Sequence, residues 1–367
     1  MENIQNGISP YTVNLPRYAL KQMISVVSNL QSLSESPDYY TSLLTELPAN
    51  AQVNAKHYSV LMGYDFHITA EQQVKLIEVN TNAGGLWFAC QSYDANAQQL
   101  PVKIADKLLA TFIQEFQLFS QNKSAKPKLI AIVDSNPKEQ FLYPEMQQIA
   151  QLFTQAGIKA VIIDPSEIEH QKQGLYHQNQ RIDLIYNRHC DFYLNTPEMQ
   201  HIAAAWQQQS VCLTPNPCIY GLLADKQRMV NWTQSEILQD ILAPKVALDL
   251  QKAIPNTFNL HTFNPEHLWS ERKKWVFKPT TSYASRGVYI GNKLTKSKLS
   301  SFDSQTTLVQ QFIKPSVTLT TDAKKFKTDF RLFVYRDTIL AVCARIYQGQ
   351  VTNLRTPHGG FSKIKLI

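Results

Sequence analysis

Three short apolar runs constrain this chain most: LIAIVD at 129–134, KAVIID at 159–164 and RIDLIYNR at 181–188. Helical patterning fills the gaps, around 144–156 with Gly157 as its stop, and again near 197–209. Strand and helix alternating at this spacing predict a parallel, Rossmann-like sheet. No GxGxxG occurs in the segment, so a dinucleotide cofactor is not indicated. The polar, proline-containing stretch 120–128 (SQNKSAKPK) marks its upstream boundary.

The texture differs on either side. Residues 17–34 space apolar side chains as an amphipathic helix does. Two apolar runs follow, 58–64 (YSVLMGY) and 74–79 (VKLIEV), joined by the polar tip 69–73 as in an antiparallel hairpin. Residues 97–122 pattern as a helix. Downstream, 222–234 is helical in pattern, and 275–279 (WVFKP) and 287–291 (GVYIG) are strands around a serine-rich turn. A further strand is expected at 308–313, and a hairpin at 329–348 turning on Arg336 and Asp337. The class expected is mixed α/β (α+β).

Bulk properties remove several alternatives. A chain of 367 residues has room for two or three domains, and 44% apolar with 18% charged residues is an ordinary globular balance. No apolar stretch approaches the roughly 20 residues of a membrane helix, and the first residues lack the pattern of a secretory signal. The five cysteines, with no CxxC pair, disfavour a disulfide framework and a structural zinc site, so a cytoplasmic protein is expected. The net charge of +7 is dispersed, and no nucleic-acid-reading module accompanies it. Its short basic runs read as solvated faces, with attraction of an anionic small substrate such as a nucleotide as the alternative.

Asp65, Glu78 and Asn80 are the candidate metal set. Glu78 and Asn80 share a strand face, and a hairpin partner can bring Asp65 beside them. Two carboxylates and an amide oxygen suit magnesium. Gly84 and Gly85 follow, which would let backbone approach a ligand closely. Lys278 lies inside an apolar strand, where a lysine is costly unless it meets an anion. The stretch after it offers Ser282, Ser285, Arg286, Gly287 and Val288, with hydroxyl, guanidinium and backbone donors suited to phosphate, although no Walker A loop is present. Gln311, Phe312 and Ile313 could supply backbone groups and an apolar wall to an adenine ring. Arg331 and Arg345, on adjoining strands, would form a clamp for phosphate. The loop 352–362 adds Asn353, His358, Gly359 and Gly360, with His358 read as solvated.

Together these segments resemble the ATP-grasp superfamily over almost the whole chain. Lys226 in ADKQRM and Lys278 in VFKP look like its two nucleotide lysines. The strands around Arg331, Arg345 and Asn353 are similar to those of ribosomal-protein glutamate ligases. The spacing of Asp65, Glu78 and Asn80 is like that in D-alanine–D-alanine ligases. The order departs from the usual one, because the metal set precedes the arginine strands. A circular permutation restores it, in a sense similar to eukaryotic glutathione synthetase, whose Glu-x-Asn-Thr string the residues LIEVNTNAGG resemble.

The resemblance implies a permuted ATP-grasp fold divided at 1–122 (catalytic sheet with the metal hairpin), 123–217 (Rossmann-like substrate domain), 218–315 (lid) and 316–367 (remainder of the catalytic sheet). It implies ATP and Mg²⁺ as cofactors. The expected activity joins a small-molecule or peptide carboxylate to an amine through an acyl phosphate, with Arg331, Arg345 and Lys278 stabilising charge and Asn353, Gly359 and Gly360 near substrate. The alternatives are a non-catalytic nucleotide-binding module and a phosphotransferase. Neither nucleic acid nor membrane is an expected partner. Permutation also makes a geometric demand: Asp65, Glu78 and Asn80 must share one pocket with Arg331 and Arg345.

Overall fold

The structure is a computed structural model that describes residues 7–54, 56–94, 99–280 and 287–367. Along the chain, strand β1 (Ile8–Leu15) precedes the helix Arg17–Ser34, and β2 (Met62–Ile68) and β3 (Val74–Asn80) form a hairpin. The helices Leu86–Gln91 and Val102–Ser120 follow. Next come β4 (Leu129–Val133), the helix Tyr143–Gln155, β5 (Lys159–Ile163), the short strands β6 (Glu169–Gln171), β7 (Gly174–His177) and β8 (Gln180–Arg181), then β9 (Leu184–Asn187) and β10 (Cys212–Thr214). A third group holds β11 (Thr257–Asn259), β12 (Trp275–Pro279), β13 (Tyr289–Ile290) and β14 (Thr307–Gln311). The last holds β15 (Ser316–Leu319), β16 (Lys325–Tyr335), β17 (Thr338–Tyr347) and β18 (Gly360–Leu366).

The first and last groups build one sheet, ordered β1-β18-β17-β16-β2-β3, with β15 also on β16. The hairpin β2–β3 therefore completes an edge that β16 would otherwise leave open, as the permuted reading requires. β1 runs parallel to β18 at the far edge, where its register shifts between Ile8 and Thr12 around the exposed Pro10. A proline is tolerated at such an edge irregularity because it has no N–H to donate. The middle group forms the expected parallel sheet, ordered β10-β9-β4-β5. The third group forms an antiparallel sheet, ordered β11-β14-β12-β13.

The helix Arg17–Ser34 packs Met23, Val27, Leu30 and Leu33 into the core that also contains Tyr64, Phe66, Leu332 and Val334 of the large sheet. At roughly 1.5–3 kcal/mol per large apolar side chain, these four helix residues alone contribute on the order of 10 kcal/mol. The other face of the sheet carries Phe333, Cys343 and Phe361 against Phe88, Leu108 and Phe112 of the following helices.

Several boundaries differ from expectation. The first strand of the hairpin is Met62–Ile68, not 58–64, because Leu61 takes a left-handed φ of 59° and Val60 donates its N–H to the Thr214 hydroxyl at 2.8 Å. Asp65 thus sits mid-strand rather than at a strand end. The segment 181–188 divides, with Gln180–Arg181 joining a small hairpin and only Leu184–Asn187 entering the parallel sheet. The expected helix 222–234 is interrupted: a π-helical turn at Tyr220–Ala224 ends before Asp225, and the α-helix Gln227–Gln234 starts anew.

Candidate functional site

Cross-strand register assembles the centre of the site. Glu78, Asp65, Arg331 and Cys343 stand opposite one another in a single row across β3, β2, β16 and β17. Asp329 and Arg345 form the neighbouring pair of β16 and β17. Since side chains on a strand alternate faces, Asp329 and Arg331 project together. Arg331 grips Asp65 with two parallel bonds, Nε to Oδ1 and Nη2 to Oδ2, both 2.7 Å. Arg345 reaches the same Oδ2 at 3.0 Å and donates from Nε to Asp329 Oδ1 at 2.7 Å. The Thr352 hydroxyl donates to the other Asp329 oxygen at 2.5 Å, tying the 350–359 loop to the network. The metal-set hairpin and the arginine strands, so distant in sequence, therefore meet.

Burial opposes the Asp65 charge, yet Arg331 and Arg345 outweigh it and hold the carboxyl well below the usual range. Asp65 serves first as the shared anion of buried Arg331 and half-buried Arg345, and it would reach a metal only through the lone pairs they leave. Glu78 has no such partner among the described residues. The Asn80 amide nitrogen lies 3.3 Å from Glu78 Oε1 and 3.4 Å from Asp65 Oδ2. Two carboxylates converging on one weak donor make a place a hard cation could take, with the amide oxygen as a further ligand after a half-turn of the Asn80 side chain. These oxygen donors fit Mg²⁺; among the described residues no group of three His, Cys, Asp or Glu offers another metal nest.

Lys278 on β12 is buried and donates to Gln310 Oε1 at 2.7 Å, with the Ile77 carbonyl at 3.4 Å. Burial depresses its ammonium to about 8, Glu78 and Asp65 pull the other way, and Lys226 adds to the depression. Lys226 caps the helix Gln227–Gln234 just after the π-helical turn. Of the three expected adenine residues, Gln311 and Phe312 already donate their N–H groups to the carbonyls of Asn256 (2.8 Å) and Lys274 (2.7 Å). That leaves the Ile313 N–H, while the Ile313 carbonyl lies 2.9 Å from His67 Nδ1. His67, which no sequence signal singles out, is half-buried on β2 two residues beyond Asp65, on its face of the strand.

All these groups open onto one cavity of about 1620 Å³, lined by Asp65, Glu78, Asn80, Lys226, Lys278, Val288, Gln311, Phe312, Ile313, Arg331, Arg345, Asn353 and Gly359. Gly287 is exposed beside it. Ser282, Ser285 and Arg286 lie outside the described residues. Asn353 is engaged within its own loop: its amide nitrogen donates to the Gln348 carbonyl (2.8 Å), and its oxygen accepts from Thr356 (2.9 Å). Gly360 begins β18 pressed against Gly7, and His358 is exposed at the loop tip. The pair Gly84-Gly85 accommodates protein rather than open space. A Cβ on Gly84 would stand 2.2 Å from Leu142, and one on Gly85, where φ is +98°, would stand 2.1 Å from Phe361.

The cavity continues to the carboxyl ends of the parallel sheet, where Asp134 and Arg188 line it. Arg188 is buried, donates to the Asn82 side-chain oxygen and approaches the Ala83 carbonyl at 3.4 Å. From the other side, Arg331 donates to the Gly84 carbonyl at 3.2 Å. The segment after Asn80 is thus gripped by two arginines from two sheets. Both Asp134 and Arg188 escaped the sequence reading, although each ends a strand that was expected there.

The family model of the tubulin-tyrosine ligase family matches residues 201–356. No curated protein matches the sequence. Among solved structures, a glutathione synthetase-like effector from Globodera pallida superposes with a TM-score of 0.60 at 11% identity, over 98% of this chain and 90% of that one. A putative gamma-glutamylcysteine synthetase from Methylobacillus flagellatus superposes with a TM-score of 0.54 at 10% identity, over 97% of this chain and 89% of that one. At such identities the likeness is one of fold. The strand order, with the N-terminal hairpin completing the sheet of the arginine strands, and the match along nearly the whole chain show that this protein has a circularly permuted ATP-grasp fold of the glutathione synthetase type.

Proposed function

We propose that the cavity is the active site of an ATP- and magnesium-dependent ligase that activates a carboxylate as an acyl phosphate and transfers the acyl group to an amine. One observation carries the reading: two arginines, a buried lysine and a carboxylate–amide set from three separate stretches of sequence face a single cavity. Lys278 and Lys226 hold the nucleotide phosphates, and Ile313 offers its N–H to the base. Glu78 and Asn80, with the free lone pairs of Asp65, hold Mg²⁺, which when bound offsets phosphate charge. Arg331 and Arg345 stabilise negative charge developing at the transferred phosphoryl group, as fixed dipoles and cations do in a site shielded from water. The described part of the cavity exceeds the roughly 300–1,000 Å³ of a single-ligand pocket, which suits a nucleotide and an acceptor together. The names of the similar proteins point to amino acids or peptides as the substrate class.

Hydroxylamine trapping tests this. With ATP, Mg²⁺ and amino acids or short peptides supplied one at a time, an acid that is activated yields a hydroxamate, with ADP and phosphate. Glu78→Gln should abolish the hydroxamate while leaving the fold intact. ATP cleavage with phosphate found on the acceptor and no hydroxamate would replace the ligase with a phosphotransferase, and failure to bind or cleave ATP would remove the catalytic reading altogether.

A further inference from the structure

The parallel sheet has its first strand in the interior: β4 lies between β5, which follows it, and β9, which comes later. The chain leaves β4 to one side and returns on the other, so the carboxyl ends of β4 and β9 part into a crevice. In open parallel sheets ligands bind at such a switch point. Here it presents Asp134, just after β4, and Arg188, just after β9, to the same cavity as Glu78 and Arg331.

Most acidic groups around the cavity are already engaged. Asp65 and Asp329 are held by arginines. Asp191 accepts the Thr196 N–H at 2.7 Å, and Glu198 pairs with His189 Nε2 at 2.9 Å. His189 Nδ1 in turn accepts the Asp191 N–H at 3.1 Å, so both its nitrogens are occupied. Asp134 differs: Oδ1 accepts only the Ser135 N–H at 2.9 Å, and Oδ2 takes no hydrogen bond from the described residues. The charged and titratable groups facing it are Arg188 and His189 beyond β9 and Asp164 beyond β5. Burial prevails over Arg188 and His189, Asp164 adds to it, and the carboxyl rises to about 6.

We infer that Asp134 is the general base of the second half-reaction, taking a proton from the amine as its nitrogen bonds to the acyl carbon. The inference rests on the ligase reading above. The amine enters as the free base; the new N–C bond forms, the C–O bond to phosphate breaks, and phosphate leaves with the electron pair. One proton passes from nitrogen to Asp134 and on to water, and the expelled phosphate takes up one proton in turn. A base held near neutrality is matched to this task, because it is ionised at working pH yet still accepts a proton.

Two nucleophiles separate the roles. Hydroxylamine is a free base at neutral pH and attacks acyl phosphates unaided, whereas amino acid amines, supplied one at a time with the acid identified by trapping, need the base. Asp134→Asn keeps the shape and the Ser135 contact. It should leave hydroxamate formation within about twofold and lower amine coupling by about 100-fold or more. With rates expressed per free-base amine, wild-type coupling should fall below about pH 6, and the variant should lack that acid limb, with Asp134→Glu restoring part of the rate. Equal loss of hydroxamate and coupling would assign Asp134 to binding or structure and overturn the inference. So would unchanged coupling, or an acid limb that persists in Asp134→Asn, and either result leaves the ligase reading standing. No hydroxamate with the wild type would remove the ligase reading and this inference with it.

Discussion

At the scale of single residues, Asp65 and Glu78 sit opposite each other in register yet have different environments. Asp65 is buried between Arg331 and Arg345; removing it leaves buried Arg331 with no carboxylate and Arg345 with Asp329 alone. Breaking a buried ion pair on one side costs about 3–5 kcal/mol, so Asp65→Ala should lower the unfolding free energy by about that much in urea titration. Glu78→Gln, at a part-exposed position with no ion pair among the described residues, should stay within about 1 kcal/mol. Equal stability of the two variants would contradict the network. Lys278 supplies a second contrast. Its ammonium is depressed to about 8, so it is charged below that pH and progressively neutral above it. Nucleotide affinity measured by calorimetry should therefore be flat from pH 6.5 to 7.5 and fall by up to about tenfold per unit above pH 8. Lys278→Arg, with a guanidinium that stays charged, should flatten the profile. A wild-type affinity independent of pH up to 9.5 would place the phosphates elsewhere.

At the scale of elements, the hairpin tip and the arginine strands were legible because period-two alternation and turn chemistry are local. Thr69 and Gln73 close the tip with a 2.9 Å backbone bond, and Arg336 takes a left-handed φ of 55° at the other turn. Less legible was anything decided by distant packing. Residues 58–61 are apolar enough for a strand, but Leu61 is turned out of extended geometry and Val60 pairs with Thr214. β1 carries a proline and no strand was expected there; its pairing with β18 makes it one. The glycines at 84 and 85 looked suited to a ligand because the sequence cannot show that Leu142 and Phe361 come against them. That close approach predicts an outcome. Gly85→Ala combines a left-handed backbone with overlap on the Phe361 ring, and should destabilise by about 3 kcal/mol, read as a lower urea midpoint at unchanged slope. A shift under 0.5 kcal/mol would mean that Phe361 repacks freely. Asp134 and Arg188 had a usable signal, since charged residues ending apolar parallel strands face the crevice of a doubly wound sheet.

At the scale of the whole molecule, the cavity belongs to no single sheet. The large sheet supplies Asp65, Arg331 and Arg345, the antiparallel sheet Lys278, and the carboxyl ends of the parallel sheet's inner strands Asp134 and Arg188. Contacts among them pass through few groups, notably Lys278 to the Ile77 carbonyl, His67 to the Ile313 carbonyl and Arg188 to Asn82. A nucleotide held by Lys278 on one side and by the hairpin's oxygens on the other, through Mg²⁺, would link two sheets that otherwise share little hydrogen bonding in the cavity. Ligand that binds only the folded chain stabilises it by about 2.7 kcal/mol at a hundredfold excess over Kd. Because the gain arises from bridging, protection from hydrogen exchange on adding ATP and Mg²⁺ should appear together in β12, β3 and the start of β16. Lys278→Ala should lose protection in all three rather than in β12 alone. Protection confined to the antiparallel sheet in the wild type would show that nucleotide sits on one side only, and that the acidic set and the arginines do not act on it.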